Sequence, residues 1–277
     1  MRTLFALGLT LMLSFSAYSY TIKEPLINST VMGKGYKATV VVPDSYDIND
    51  NNYPTIYVLH GWSGNYQDWL KNSNIATLAD QYQLILIMPD GNYDKWYIDS
   101  PIDKNSQFET YISSEVVNAI DKEFRTIASK KARAITGLSM GGFGALNIAL
   151  NHQNQFGAVG SMSGGVDPRS FAKNWGLINV FGDPIDNANF WHDKAIINNA
   201  HHFIFSGIKV IIDCGVDDFF INTNRQLHKK LLELKIPHDY IERDGGHTWN
   251  YWNNAIKYQI QFLSNALETK QAVLSLK

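Results

Sequence analysis

Short apolar runs rich in β-branched residues alternate with amphipathic segments along almost the whole of this 277-residue chain. The run IKVIIDCG has the length and composition of a strand buried on both faces, and NRQLHKKLLEL, which follows it, repeats apolar residues at helical spacing. Strands that alternate with helices favour a parallel sheet covered by helices. We therefore predict an α/β fold with a mostly parallel central sheet and helices on both faces.

The composition is that of an ordinary globular protein, with 45% hydrophobic residues and a formal net charge of −2. This size and apolar content allow a large core, and no basic region favours nucleic acid as a partner. No repeat, linker or low-complexity tract divides the chain, so we predict one domain over residues 20–277. The single cysteine, Cys214, lies in an apolar run, is expected to be buried and excludes an internal disulfide.

The first twenty residues have the pattern of an export signal. Arg2 precedes an apolar stretch, Leu4 to Phe15, which is followed by the small residues of AYS. We predict a signal peptide over residues 1–19 with cleavage after Ser19, and a periplasmic or secreted protein. An N-terminal membrane anchor is the alternative. No other segment is long and apolar enough to cross a membrane, so no stable membrane span is expected after cleavage.

One motif lies at a predicted junction between a strand and a helix. ARAITG reads as a strand and GGFGALNIALNH as a helix, and the joint from Gly137 to Gly141 has the form G-x-S-x-G. In a turn this tight, a Cβ at either glycine would crowd neighbouring backbone, and Ser139 is held in a strained conformation with its hydroxyl toward the cleft. A glycine-rich turn without chemistry is the alternative, but the strand–turn–helix context favours a nucleophile.

A serine hydroxyl needs a base and an orienting carboxylate. His247 lies on the loop after the last predicted strand, where a base is expected. The carboxylate should lie between the serine and this histidine in the chain, and VDDFF offers Asp217 and Asp218. Asp213 lies inside a predicted strand and Asp244 is only three residues from the histidine, so neither is favoured. Position alone does not choose within the Asp-Asp pair, of which one residue can cap the next helix.

The developing oxyanion needs two backbone N–H donors. One is expected at Met140, directly after the serine. The other is expected at Trp62 in LHGWSG, where Gly61 lets the backbone turn. His60 ends the preceding predicted strand, so it is expected at the edge of the site and is a candidate substrate-binding residue.

Seven segments, in this order, resemble the putative-esterase family, which includes esterase D and S-formylglutathione hydrolases, tributyrin and feruloyl esterases, and mycolyltransferases. The segments are VLHGWSG, MPDGN, WYIDSP, ETYISSEV, GLSMGGFGAL, CGVDDFF and GGHTWNYW. They extend over nearly all of the mature chain. The resemblance implies the α/β-hydrolase fold and acyl transfer from an ester or thioester to water, with no metal or organic cofactor.

Carried over by motif, the resemblance implies Ser139 as the nucleophile and His247 as the base. It selects Asp218 as the acid, because the family motif resembles G-x-x-D. Its oxyanion donors are Trp62 and Met140, the two positions reached from the residues alone. The residues that WYIDSP implies near the cleft, as candidates for substrate binding, are Trp96, Tyr97 and Asp99.

The sequence thus predicts an exported serine carboxylesterase whose partner is a small acyl or aryl ester. An S-formylglutathione hydrolase-like thioesterase and an acyltransferase of mycolyltransferase type are the alternatives. A non-catalytic binding module is disfavoured because the serine, aspartate and histidine are all present. The oligomeric state is not predicted.

The stretch from 165 to 206 is too long for a simple connection, and we expect a crossover with helices or a partial lid. Its aromatic residues either line a pocket or pack the insertion onto the domain: Trp175, Phe181, Phe190 and Trp191.

Overall fold

The structure is a computed structural model that describes residues 20–268, so the predicted signal peptide lies outside the described residues. The strands are β1 (Tyr20–Lys23), β2 (Leu26–Ser29), β3 (Lys34–Pro43), β4 (Thr55–Leu59), β5 (Ile85–Pro89), β6 (Arg133–Gly137), β7 (Ala158–Met162), β8 (Lys209–Gly215) and β9 (His238–Arg243). The helices are α1 (Asp68–Asn72), α2 (Ile75–Tyr82), α3 (Phe108–Thr110), α4 (Val117–Glu123), α5 (Met140–Asn151), α6 (Leu177–Phe181), α7 (Ala188–Lys194), α8 (Ile196–Asn199), α9 (Ile221–Glu233) and α10 (Trp249–Ala266). A π-helical segment, Tyr111–Val116, joins α3 to α4. No helix within residues 20–268 is long and apolar enough to pass through a bilayer.

The strands form one sheet in the order β1-β3-β5-β4-β6-β7-β8-β9, and β2 pairs with β3. The six strands from β5 to β9 run parallel, whereas β3 is antiparallel to β5 and β1 is antiparallel to β3. The predicted mostly parallel sheet is therefore confirmed. The edge strands β1 and β2 were not predicted, because each has only four residues and little apolar content.

Helices cover both faces of the sheet, as predicted. Alternate residues of one strand belong to two different cores, as in β4, where Tyr57 contributes to one and Val58 to the other. The first core packs against α5 and α9, and the second against α2 and α10. Burial on both faces explains the continuous apolar runs of the central strands. Cys214, on β8, is buried, and this burial raises the pKa of its thiol well above its usual range.

The stretch between β7 and β8 is a crossover with short helices, α6 to α8. Phe181 and Trp191 from this stretch are buried in the first core. Lys194, at the end of α7, places its Nζ 2.7 Å from a carboxylate oxygen of the buried Glu109. Burial alone raises the pKa of this carboxyl, but hydrogen bonds from His152, Lys194 and Asn147 outweigh burial and lower the pKa to about 2. The stretch is thus fastened to the domain by apolar packing and a buried ion pair.

The parallel strands end at one edge of the sheet, and their loops carry the candidate residues. The loop after β4 carries Trp62, and the turn after β6 carries Ser139. The loop after β8 carries Asp218, and the loop after β9 carries His247. Ligands of open α/β sheets bind at this edge.

Candidate active site

Ser139 lies at the turn between β6 and α5, with backbone angles φ 53° and ψ −115°. A non-glycine residue rarely adopts this conformation, which persists only where the surroundings enforce it. The Ser139 amide donates to the carbonyl of Met162 at 2.9 Å, and its carbonyl accepts from Phe143 at 3.0 Å. These two bonds hold the turn from the neighbouring strand and from the helix.

The two glycines of the turn are required by close backbone contacts. A Cβ on Gly137 would lie 2.5 Å from the carbonyl oxygen of Gly141. A Cβ on Gly141 would lie 2.5 Å from the carbonyl oxygens of Leu59 and His60. Backbone atoms cannot move aside as a flexible side chain can, so neither position accommodates a Cβ. The structure thus agrees with the crowding of neighbouring backbone that the sequence predicted for these glycines.

A chain of hydrogen bonds connects three of the predicted residues. His247 Nε2 lies 2.9 Å from Ser139 Oγ, and His247 Nδ1 lies 2.8 Å from Asp218 Oδ2. A carboxylate oxygen can only accept, so Nδ1 carries the proton and Nε2 of the neutral ring is free to accept from the serine hydroxyl. The other oxygen, Oδ1, accepts from the Phe220 amide at 2.8 Å, which fixes the orientation of the carboxylate.

The other acidic residues near this loop have different surroundings. Asp218 is only 2% exposed, whereas the neighbouring Asp217 is exposed and makes no side-chain cap on α9. Asp213 is buried against α10, where it accepts from the Tyr251 hydroxyl and pairs with Arg243. The geometry therefore brings only one aspartate of the Asp-Asp pair to His247.

Aromatic rings enclose the imidazole of His247. The ring centroids of Phe219, Phe220 and Trp252 lie 4.2, 5.4 and 4.8 Å from its centroid. Packing on three sides limits rotation of the imidazole, so its two nitrogens keep their partners. The indole of Trp252 is itself held by donation to the Ser163 hydroxyl at 3.2 Å.

Two unbonded backbone donors lie beside the serine. Among residues 20–268, the N–H groups of Trp62 and Met140 have no hydrogen-bond partner, whereas those of Ser63 and Gly141, the next residue in each case, are bonded to backbone carbonyls. Met140 is the first residue of α5, so the positive end of the helix dipole also lies here. These donors are suited to stabilise an anion that forms at Ser139.

A cleft of about 180 Å³ opens over Ser139 and His247. Two polar side chains, Ser63 and Asp68, lie on its wall. Its remaining wall is mostly aromatic, which suits an apolar acyl or aryl group. The aromatic side chains that line it are Trp62, Trp96, Trp175, Phe219, Trp249 and Trp252.

Three candidate substrate-binding residues do not line this cleft. His60 is 1% exposed, and both its ring nitrogens bond to backbone groups, those of Gly61 and Gly91. Tyr97 is fully buried and donates to the His60 carbonyl at 3.2 Å. Asp99 accepts from the amide and the hydroxyl of Thr110, the last residue of α3. The structure therefore corrects these assignments: the three residues support the framework, and only Trp96 from WYIDSP reaches the cleft.

Several lining residues received no role from the sequence. Trp249 and Trp252 follow His247 at the start of α10, and their spacing of three on a helix signals that they share a face. Asp68 begins α1, the short helix after the loop that carries the predicted oxyanion donor, but no pattern marks it. From the long stretch before β8, only Trp175 lines the cleft, stacked on Phe219 at 5.5 Å.

Solved structures share this arrangement of the chain. A ferulic acid esterase superposes with a TM-score of 0.78 over 91% of this chain and 100% of that chain, at 24% sequence identity. FphF, a fluorophosphonate-binding serine hydrolase of Staphylococcus aureus, gives a TM-score of 0.79 over 90% and 99%, at 22% identity. The mostly parallel sheet, its helices and these neighbours define the α/β-hydrolase fold.

The sequence comparisons identify the family. The family model described as "Putative esterase" matches residues 29–263. An acetyl esterase of Caldicellulosiruptor saccharolyticus is 30% identical over 232 residues, which are 79% of this chain and 86% of that protein. The chain belongs to this esterase family and is a carboxylesterase-type hydrolase, so the family resemblance read from the sequence is confirmed.

Proposed function

We propose that the protein is an exported serine carboxylesterase that hydrolyses small acyl or aryl esters through an acyl-enzyme. The observation that carries this proposal is the chain of hydrogen bonds from Asp218 through His247 to Ser139, which opens into an aromatic-lined cleft. Export rests on the sequence of residues 1–19 alone.

In the acylation step, His247 Nε2 takes the hydroxyl proton as Ser139 Oγ attacks the acyl carbon. Asp218 accepts from Nδ1–H throughout, which keeps the tautomer and stabilises the imidazolium that forms. The tetrahedral oxyanion accepts from the N–H groups of Trp62 and Met140. The imidazolium then gives its proton to the leaving alcohol.

In the deacylation step, water replaces the alcohol at His247. The imidazole takes a proton from this water, which attacks the acyl carbon, and the second tetrahedral intermediate forms at the same two donors. Its collapse breaks the bond to Ser139 Oγ, which regains its proton from the histidine. Each step uses atoms whose positions are set by the loops after β4, β6, β8 and β9.

The test is hydrolysis of p-nitrophenyl acetate, butyrate and octanoate and of methyl ferulate by the purified mature protein. We expect Ser139→Ala to lower kcat about 10⁴-fold or more without unfolding the protein. A fluorophosphonate probe should add its mass to the peptide that contains Ser139. Labelling of another residue, or full activity in the alanine variant, would refute the proposal. Adding S-formylglutathione to the panel separates the thioesterase alternative.

A further inference from the structure

Among the described residues that line the cleft, Asp68 is the one with a carboxylate side chain. It is the first residue of the short helix α1 and is partly buried. Its backbone carbonyl accepts from the Asn72 side chain. Among residues 20–268, its carboxylate makes neither a hydrogen bond nor an ion pair, so its charge is not offset by a partner within the described chain.

The carboxylate of Asp68 lies close to the loop that carries the proposed oxyanion donor Trp62. A Cβ built on Gly64 would lie 2.3 Å from Asp68 Oδ2 and 3.0 Å from His60 Nδ1, so this glycine leaves the space that the carboxylate occupies. Burial lowers the pKa of His60, although Gly61, Asp90 and Asp68 act in the opposite direction. Because the imidazole of His60 is neutral, it does not offset the negative charge of Asp68.

No lysine or arginine lines the cleft in the part of the chain that the structure describes. The aromatic side chains around it carry no charge, and Asp68 is partly buried, so its charge is screened less than a charge on an open surface. A substrate in the cleft therefore meets one negative charge close to the reacting serine. The electrostatic potential in the cleft is unfavourable for an anionic group of the substrate and favourable for a cationic group.

We propose that Asp68 is a specificity-determining residue that disfavours esters with an anionic group beside the scissile bond relative to uncharged and cationic esters. This proposal rests on the proposed function at Ser139. Two like charges about 6 Å apart, at an effective dielectric constant of about 40 for a partly solvated cleft, lower kcat/KM about 10-fold. A glutathione thioester, which carries carboxylates, is disfavoured by the same charge.

The test compares ester pairs that differ in charge and have similar shape. On the alcohol side, they are 3-acetoxybenzoate with its methyl ester, and 3-acetoxyphenyl-trimethylammonium with 3-tert-butylphenyl acetate. On the acyl side, they are p-nitrophenyl hemisuccinate and p-nitrophenyl butyrate. For each pair, the ratio of kcat/KM values is compared between the wild type and a variant, because intrinsic ester reactivity then cancels.

Asp68→Asn removes the charge and keeps the shape. We expect it to raise the anionic-to-neutral ratio about 10-fold on at least one side of the ester and to lower the cationic-to-neutral ratio. Asp68→Ser, which also suits a helix start, is the second charge-free variant if the first does not fold.

Asp217→Asn is the matched control, because it removes the same charge from an exposed position outside the cleft. Its ratios should equal those of the wild type. Unchanged ratios in both Asp68 variants, or equal changes in the control, overturn the proposal. Inactivity of the wild type on every neutral ester would instead overturn the proposed function, and the charge selection would fall with it.

Discussion

Replacement of Asp218 by asparagine tests the proposed roles most directly, because the structure fixes how the new side chain must lie. Oδ1 of Asp218 accepts from the Phe220 amide and Oδ2 from His247 Nδ1. An asparagine has only one oxygen for these two donors. The backbone amide cannot change its role, so the oxygen turns toward Phe220 and the NH₂ group toward the histidine.

This orientation forces the wrong tautomer on His247. The NH₂ group needs an acceptor, so Nδ1 loses its proton and Nε2 gains one. Nε2 then donates toward Ser139 and cannot accept the hydroxyl proton. In a related triad the same change costs about 10⁴-fold in kcat. We expect the same order of loss in Asp218→Asn and little change in fold, because the isosteric amide fills the same buried space.

The assay is hydrolysis of p-nitrophenyl acetate, with thermal melting as the measure of folding. Asp217→Asn is the control, since Asp217 is exposed and makes no cap on α9. It should keep most of the activity. An inactive Asp217→Asn beside an active Asp218→Asn would reverse the assignment. Full activity in both variants would show that the carboxylate on this loop does not orient the histidine.

Three further predictions concern other parts of the chain. Protein recovered from the periplasm or medium should begin at Tyr20, and N-terminal sequencing that finds Met1 would exclude cleavage. Gly141→Ala should lose activity and at least about 3 kcal/mol of stability in urea unfolding, because its Cβ meets backbone oxygens at 2.5 Å; a fully active, stable variant would contradict this. Glu109→Gln should cost about 3 kcal/mol at pH 7, because the pKa of Glu109 is lowered from 4.5 to about 2. That loss of unfolding free energy is present above pH 4.5 and should shrink as the pH falls from 4.5 toward 2. A loss that does not depend on pH would contradict the argument that it arises from the lowered pKa of Glu109.

The backbone framework, Ser139 and His247 were readable from the sequence because they depend on local pattern, whereas Asp218 was selected from the Asp-Asp pair only through the family resemblance. The run IKVIIDCG predicts a buried strand, and β8, Lys209–Gly215, covers all but its first residue. Polar residues that follow buried parallel strands meet at one edge whatever the details of packing. This rule brings Ser139, Asp218 and His247 together.

The direction of individual side chains was not readable in the same way. Trp96 and Tyr97 both have φ of 53°, a conformation that no residue pattern in WYIDSP signals. Both rings are buried in the first core, but Trp96 also forms part of the cleft wall, whereas the Tyr97 ring takes the space that a Cβ on Gly144 would need. His60 follows the same logic, since one of its two bonds to backbone groups, that from the Gly91 amide, comes from a loop 31 residues away in the chain.

The residues proposed to react and the residues that form the cleft wall are therefore positioned by different parts of the fold. The reacting groups are positioned by strand ends and by one strained turn, features that the G-x-S-x-G context already encodes. The walls of the cleft come from separate parts of the chain that meet only after folding, such as Trp175 on Phe219 and Trp62 on Tyr93. Changes in these contacts alter the cleft without moving Ser139. The proposed catalytic geometry can thus be combined with different cleft walls, and the selection by charge that we propose for Asp68 depends on one such wall residue.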